Sequence, residues 1–285
     1  MANVALPALL TGAVPRSARA HVRWVAAPRG SINLHCIHPS SARRALCRPR
    51  AAPALASAAP GAAAQRYVKV CGVTNVEDAE IAAAAGANLI GMILWPRAKR
   101  SISPAVAREI AAAARRHGAA PVAVFVDEDA ATIQRVCEES EVEIAQLHGD
   151  GARASLLDLP PRLRCVYVMH ADKGGALQTA TPKQLAAAAG RELQREVQWV
   201  LLDSLQGGSG EAFDWANLQP PLQSCSQGWL LAGGLTPDNV AQAAALARPA
   251  GMDVSSGVCG PDGLKKDADR VRRYVASARQ ALAAL

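Results

Sequence analysis

Cys71 closes one apolar run, YVKVC, and Asp203 closes another, QWVLLD. A thiol and a carboxylate can serve as base and acid when their surroundings bring them toward neutral pH. A free thiol titrates near about 8.5, and nearby positive charge favours its thiolate. A carboxylate in apolar surroundings keeps its proton to higher pH. Each residue also has a plainer reading. A free cysteine is commonly a small buried hydrophobe, and Asp203 could cap the GGSG turn that follows it. Lys69 lies two residues before Cys71, so in a strand it shares a face with the thiol, about 7 Å away. A lysine buried there needs a partner. Asp253 is the candidate, both as that partner and as a residue lining the same site.

Further polar groups follow other apolar runs. Gly233-Gly234 comes after GWLLA, and Ser255-Ser256-Gly257 ends GMDVSSG. Glycines permit close backbone approach to a ligand, and the serines add hydroxyl and amide donors, as a phosphate site requires; alternatively the glycines only make tight turns. Arg100, in WPRAKRSIS, could grip a carboxylate through two parallel hydrogen bonds or be a solvated arginine in a basic loop. His148, in QLHGD, could touch a substrate or orient its loop. No set of strand-end residues has the makings of a metal triad.

These residues need elements to hold them. Eight short runs read as strands: 67–71, 88–94, 121–126, 143–148, 164–169, 198–203, 228–232 and 251–255. Most are nearly continuous in Val, Ile and Leu, the pattern of strands buried on both faces. Helical patterns occupy most gaps. Thr74 and Glu77 are spaced as a capping box ahead of VEDAEIAAAAG. Ser103-Pro104 opens AVAREIAAAARRHG as cap and first helical position, and Thr236-Pro237 opens DNVAQAAALA. DAATIQRVCEES and KKDADRVRRYVASARQALAAL complete the set, while GGSGEAFDWANLQPPL leaves room for only a short helix. Eight strand-helix units predict a single-domain (β/α)8 TIM barrel over residues 66–285. A doubly wound open sheet is the competing fold, but CGVTNV stands where its GxGxxG turn belongs. In a barrel, catalytic residues sit at the C-terminal strand ends, and phosphate is often held by the loops after strands seven and eight. Cys71, Asp203 and the two small-residue turns occupy those places.

The net charge of +7 is local. Residues 1–65 hold eight arginines and no Asp, Glu or Lys, leaving 23 basic against 24 acidic side chains in the remainder. The balance gives no sign of a nucleic-acid partner, and no run of 18 uncharged apolar residues suggests a membrane span. The Ala-, Ser-, Pro- and Arg-rich composition of 1–65 is that of a disordered organelle transit peptide. The five cysteines beyond it are widely spaced and include no CxxC pair, which suits a reducing compartment and argues against a disulfide framework or zinc site.

Five motifs, VKVCGVTNVEDA, QLHGD, LLDSLQGGSGEAFDW, WLLAGGLTPDNV and GMDVSSGVCG, appear in order from Tyr67 onward. Together they resemble the phosphoribosylanthranilate isomerases, most closely the plant chloroplast form. The resemblance implies a stromal (β/α)8 barrel in tryptophan biosynthesis, acting on a small phosphorylated substrate as a monomer or homodimer. It implies an Amadori rearrangement that needs neither metal nor organic cofactor. The family's catalytic cysteine falls on Cys71, its catalytic aspartate on Asp203, and its carboxylate-binding arginine on Arg100. Two departures stand out. Lys99 occupies a position that is usually proline in bacterial members. YVMHADKGG, after the fifth strand, leaves open whether His170, Asp172 or Lys173 meets substrate. Indole-glycerol-phosphate synthase, the related histidine-pathway isomerase and a catalytically silent phosphate-binding barrel are the alternatives. The first uses strand-end lysine and glutamate, and the second a first-strand aspartate, where this chain has Cys71.

Overall fold

The computed structural model describes residues 65–205 and 214–285. Eight parallel strands close on themselves in chain order: β1 (Tyr67–Val70), β2 (Leu89–Ile93), β3 (Ala120–Phe125), β4 (Ile144–Leu147), β5 (Arg164–Ala171), β6 (Trp199–Ser204), β7 (Trp229–Leu231) and β8 (Gly251–Val254). Every predicted strand is present, its ends within two residues of the expected ones. Around them lie α1 (Val76–Ala84), α2 (Pro104–Arg116), α3 (Ala130–Glu139), α4 (Asp150–Ala154), α5 (Pro182–Ala188), α6 (Val240–Ala247) and α7 (Ala268–Ala283).

The near-continuous apolar strands are explained by burial on two sides. One cluster fills the barrel with Tyr67, Leu89, Val122, Ile144, Val166, Trp199, Leu201 and Leu230. A second, with Val68, Val70, Ile90 and Phe125 from the strands, packs against Ile110, Ile133 and Val271 of the helices. Full burial of such a side chain stabilises by about 1.5–3 kcal/mol. Tyr67 and Trp199 meet edge to face inside, with ring centroids 5.4 Å apart. Because Tyr67 faces inward and Val68 outward, strand parity turns Lys69 and Cys71 toward the interior.

Local signals were mostly sound but two were misplaced. Ser103 caps α2 as expected, its Oγ accepting from Val106 N. The cap of α1, however, is Asn75 rather than Thr74. Its Oδ1 accepts from Asp78 N at 2.8 Å and its Nδ2 donates to Asp78 Oδ2 at 2.9 Å, so the reciprocal pairing sits one residue later. Thr236-Pro237 does not open α6. Asn239 Oδ1 accepts from Thr236 N at 2.8 Å, fixing a turn before the helix starts at Val240. The short α4 and α5 were not anticipated, although α5 carries a true capping box between Thr181 and Gln184. After β6 the GGSG turn lies outside the described residues, and the segment beyond it forms two short 3-10 turns, Trp215–Asn217 and Leu222–Ser224.

Candidate active site

Lys69 pairs in register with Asp253 across the β1–β8 junction. Its Nζ donates to Asp253 Oδ1 at 3.0 Å with both side chains buried, as strand parity predicted. Burial opposes the charge on Lys69, but Asp253 and Cys71 outweigh it and hold the ammonium above its ordinary pKa. Cys71 follows at the end of β1, buried, with its N–H bonded to Val254 O at 2.8 Å. Room for its thiol comes from Gly91 on β2, where a Cβ would stand 2.7 Å from Cys71 Sγ.

Asp203 lies buried on β6, beside His170 in the β5 register. Burial, reinforced by the neighbouring carboxylate of Asp253, raises its pKa from 3.8 to about 7; Ser204 N, which donates to Oδ1 at 2.8 Å, and Lys69 only partly offset this. The apolar setting read from WVLL therefore has its expected effect. A thiol, a carboxylate that holds a proton near neutral pH, and the Lys69–Asp253 pair share one end of the barrel.

The loops after β7 and β8 touch. Gly233 and Gly234 adopt φ of +85° and +65°, open to glycine at no cost. A Cβ on Gly257 would fall 1.9 Å from Leu235 O, so no other residue fits between the loops. Ser256–Val258 forms a short 3-10 turn, the kind of extra helix that completes phosphate sites in these barrels. The Ser255 hydroxyl is engaged internally: it accepts from Arg100 Nη2 at 2.9 Å and donates to Cys71 O at 3.1 Å.

Arg100 also donates from Nη1 to Gly263 O at 3.0 Å, while its buried Nε has no partner among the described residues. Arg97, in the loop after β2, instead turns outward to pair with Asp127 in the loop after β3 and lies over Trp95. His148 meets His170 edge to face, centroids 5.2 Å apart. Burial, then His170 and the cations Lys69 and Arg153, depress His148 to about 3. Burial and Arg153 lower His170 too, so both rings are neutral near pH 7. Asp172 is a loop organiser: its carboxylate accepts from Gly174 N, Ala176 N and Gln178 Nε2.

Sequence reasoning passed over Lys266. It read as part of the helical pattern KKDADRVRRYVASARQALAAL, yet it precedes the helix and its buried Nζ lies 2.6 Å from Cys71 O. Its one visible signal was its place just before the Asp267 cap of α7. Among the described residues no group of three or more His, Cys, Asp or Glu side chains is placed to hold a metal ion, and no helix is long and apolar enough to cross a membrane.

Comparison with known proteins fits this geometry. The model of the N-(5'-phosphoribosyl)anthranilate (PRA) isomerase family matches residues 68–277. The chloroplastic N-(5'-phosphoribosyl)anthranilate isomerase 1 of Arabidopsis thaliana is 44% identical over 212 residues, 74% of each chain. The Chlamydia felis isomerase is 35% identical over 215 residues, 74% of this chain and 96% of its own. Among solved structures, the Thermus thermophilus phosphoribosyl anthranilate isomerase superposes with a TM-score of 0.62 at 32% identity, over 75% of this chain and 98% of its own. A phosphoribosyl anthranilate isomerase in complex with reduced 1-(o-carboxyphenylamino)-1-deoxyribulose 5-phosphate gives a TM-score of 0.59 at 30% identity, over 76% of this chain and all of its own. With a thiol and a buried carboxyl of raised pKa at the strand ends and a family match over residues 68–277, the chain belongs to the N-(5'-phosphoribosyl)anthranilate isomerase family.

Proposed function

We propose that Cys71 and Asp203 are the base and the acid with which this family member isomerises N-(5'-phosphoribosyl)anthranilate to 1-(o-carboxyphenylamino)-1-deoxyribulose 5-phosphate in tryptophan biosynthesis. The observation that carries the assignment is the buried Asp203 carboxyl, with its pKa of about 7, on the rim that also holds Cys71. Asp203 gives its proton to the ribose ring oxygen and the ring opens to a Schiff base. The Cys71 thiolate then removes the proton from C2′, and the enolamine tautomerises to the ketone. Gly233, Gly234, Ser256 and Gly257 form the phosphate cradle, with Ser255 holding its shape from behind. Arg100, with its unpartnered Nε, takes the anthranilate carboxylate. Asp253 keeps Lys69 charged beneath the substrate. The neutral His148 ring presents a face or an N–H to substrate rather than a charge.

The test is the loss of phosphoribosylanthranilate fluorescence on adding protein. A positioned proton-transfer group is worth about 10²–10⁴-fold, so Cys71→Ser and Asp203→Asn should each lose that much turnover. Near-wild-type turnover in either would overturn the assignment. Arg100→Ala should raise KM more than it lowers kcat; an unchanged KM removes Arg100 from the site.

Residues 1–65 act, in this reading, as a transit peptide that delivers the barrel to the plastid stroma, supported by their composition and by the chloroplastic names of the Arabidopsis relatives. The mature barrel works as a monomer or homodimer, and sedimentation at assay concentration decides which.

A further inference from the structure

The segment between β8 and α7 is folded back on itself. Cys259 pairs with Lys266 in an antiparallel bridge, Gly260 N donates to Lys265 O at 2.9 Å, and Asp267 N donates to Val258 O at 2.9 Å. This excursion returns Lys266 to the end of β1. There the ammonium is buried with three acceptors in reach: Cys71 O at 2.6 Å, Ser255 O at 2.9 Å and Cys259 Sγ at 3.5 Å. An ammonium has three N–H donors, so all are committed to the protein and none is left to exchange with a substrate. The backbone N–H of Lys266 donates to Asp78 Oδ2 at 2.9 Å, joining the same residue to the cap of α1.

Burying this charge is costly without full hydrogen bonding. Burial, with Arg100 nearby, pulls the Lys266 pKa down, while Cys259 and Cys71 oppose the shift. Two of its acceptors are backbone carbonyls converging from different elements, one on the residue carrying the thiol and one in the loop after β8. Without a cation between them those dipoles would face each other, with only the Ser255 hydroxyl left to donate to Cys71 O. Resting on the reading that Cys71 is the base and the β8 loop the phosphate anchor, we propose that Lys266 is a positioning residue. Its ammonium clamps the Cys71 carbonyl to the Ser255 carbonyl and fixes the span from thiol to phosphate.

The full chain carrying Lys266→Met, which keeps the apolar stem and removes the charge, is assayed beside the wild type by substrate fluorescence. Misplacing a reacting group by about 1 Å can cost 10²-fold, so kcat should fall by about that factor and KM should rise as well. In Lys266→Ala, n-butylammonium should restore part of kcat while n-butanol, of similar shape but neutral, does not. Should the alanine variant melt below the assay temperature, the methionine variant decides by its kcat and KM. Lys266→Met kinetics within about twofold of wild type, or equal rescue by the amine and the alcohol, overturns the clamp. Cys71→Ser separates this from failure of the underlying reading. If that variant is dead while Lys266→Met is unimpaired, only the clamp falls; if Cys71→Ser turns over normally, the reading itself does.

Discussion

At Asp203 the fold trades stability for a proton. Its carboxyl titrates near 7 in the folded barrel against an ordinary value of 3.8, chiefly through burial. The folded state thus binds this proton more tightly than the unfolded chain. The contribution to stability is fully present below the unfolded pKa and is lost as pH rises through about 7. Asparagine keeps the shape and removes the charge, so the melting-temperature advantage of Asp203→Asn over wild type should widen from pH 5 to pH 8. A gap that stays constant in thermal melts would mean that burial does not hold the proton. The same titration predicts that kcat/KM of the wild type declines above about pH 7 as the acid form is lost. Gly91 tests the thiol's placement. An alanine Cβ there would meet Cys71 Sγ at 2.7 Å and Cys71 Cα at 3.1 Å. Gly91→Ala should lower stability by about 1–3 kcal/mol through overpacking and lower kcat further than that loss explains, since the thiol must move. Unchanged kcat in a folded Gly91→Ala protein would show that the thiol has slack.

Among the elements, β1 and β8 carry the most weight, because their junction holds the inward-facing ion pair. Removing one partner of a buried pair leaves an uncompensated charge and costs about 3–5 kcal/mol, whereas replacing both with apolar residues is often neutral. Urea unfolding should therefore show Lys69→Met strongly destabilised and Lys69→Met/Asp253→Leu largely recovered. If the double variant were no better than the single one, the pair would not be the source of the loss. This pair was readable from sequence because strand parity and the closing of β8 on β1 are dictated by the barrel. So were the eight strands, since burial on both faces writes most of them as nearly continuous Val, Ile and Leu. What sequence could not show was set by distant contacts. Lys266 read as the start of the last helix because nothing in KKD announces that a backbone bridge carries it under Cys71. The edge-to-face rings of His148 and His170 depend on the β4–β5 register. The cap of α1 fell on Asn75 rather than Thr74 because its side chain reaches both Asp78 N and the Asp78 carboxylate, a choice only local geometry makes.

For the whole molecule, the segregation of charge predicts a separation of tasks. The basic, acid-free residues 1–65 lie outside the barrel's sequence span, and residues 66–285 are nearly neutral. A chain of residues 65–285 should match the full chain in kcat, KM and melting temperature, while only the full chain should enter isolated chloroplasts. Lost activity on truncation would show that the leading segment serves the barrel itself. The β1–β8 junction also has a meaning in time. Its ion pair joins residues 184 positions apart, so β1, though made early, has no neighbour on one side until β8 emerges near the chain's end. Any sheet that forms before β8 is made therefore keeps two unpaired edges, the form of β-structure most prone to pairing with other chains. Asp253 and the Ser255–Gly257 loop reach the thiol and Lys69 of β1 only in that late event, and a barrel truncated before β8 should be both inactive and adhesive.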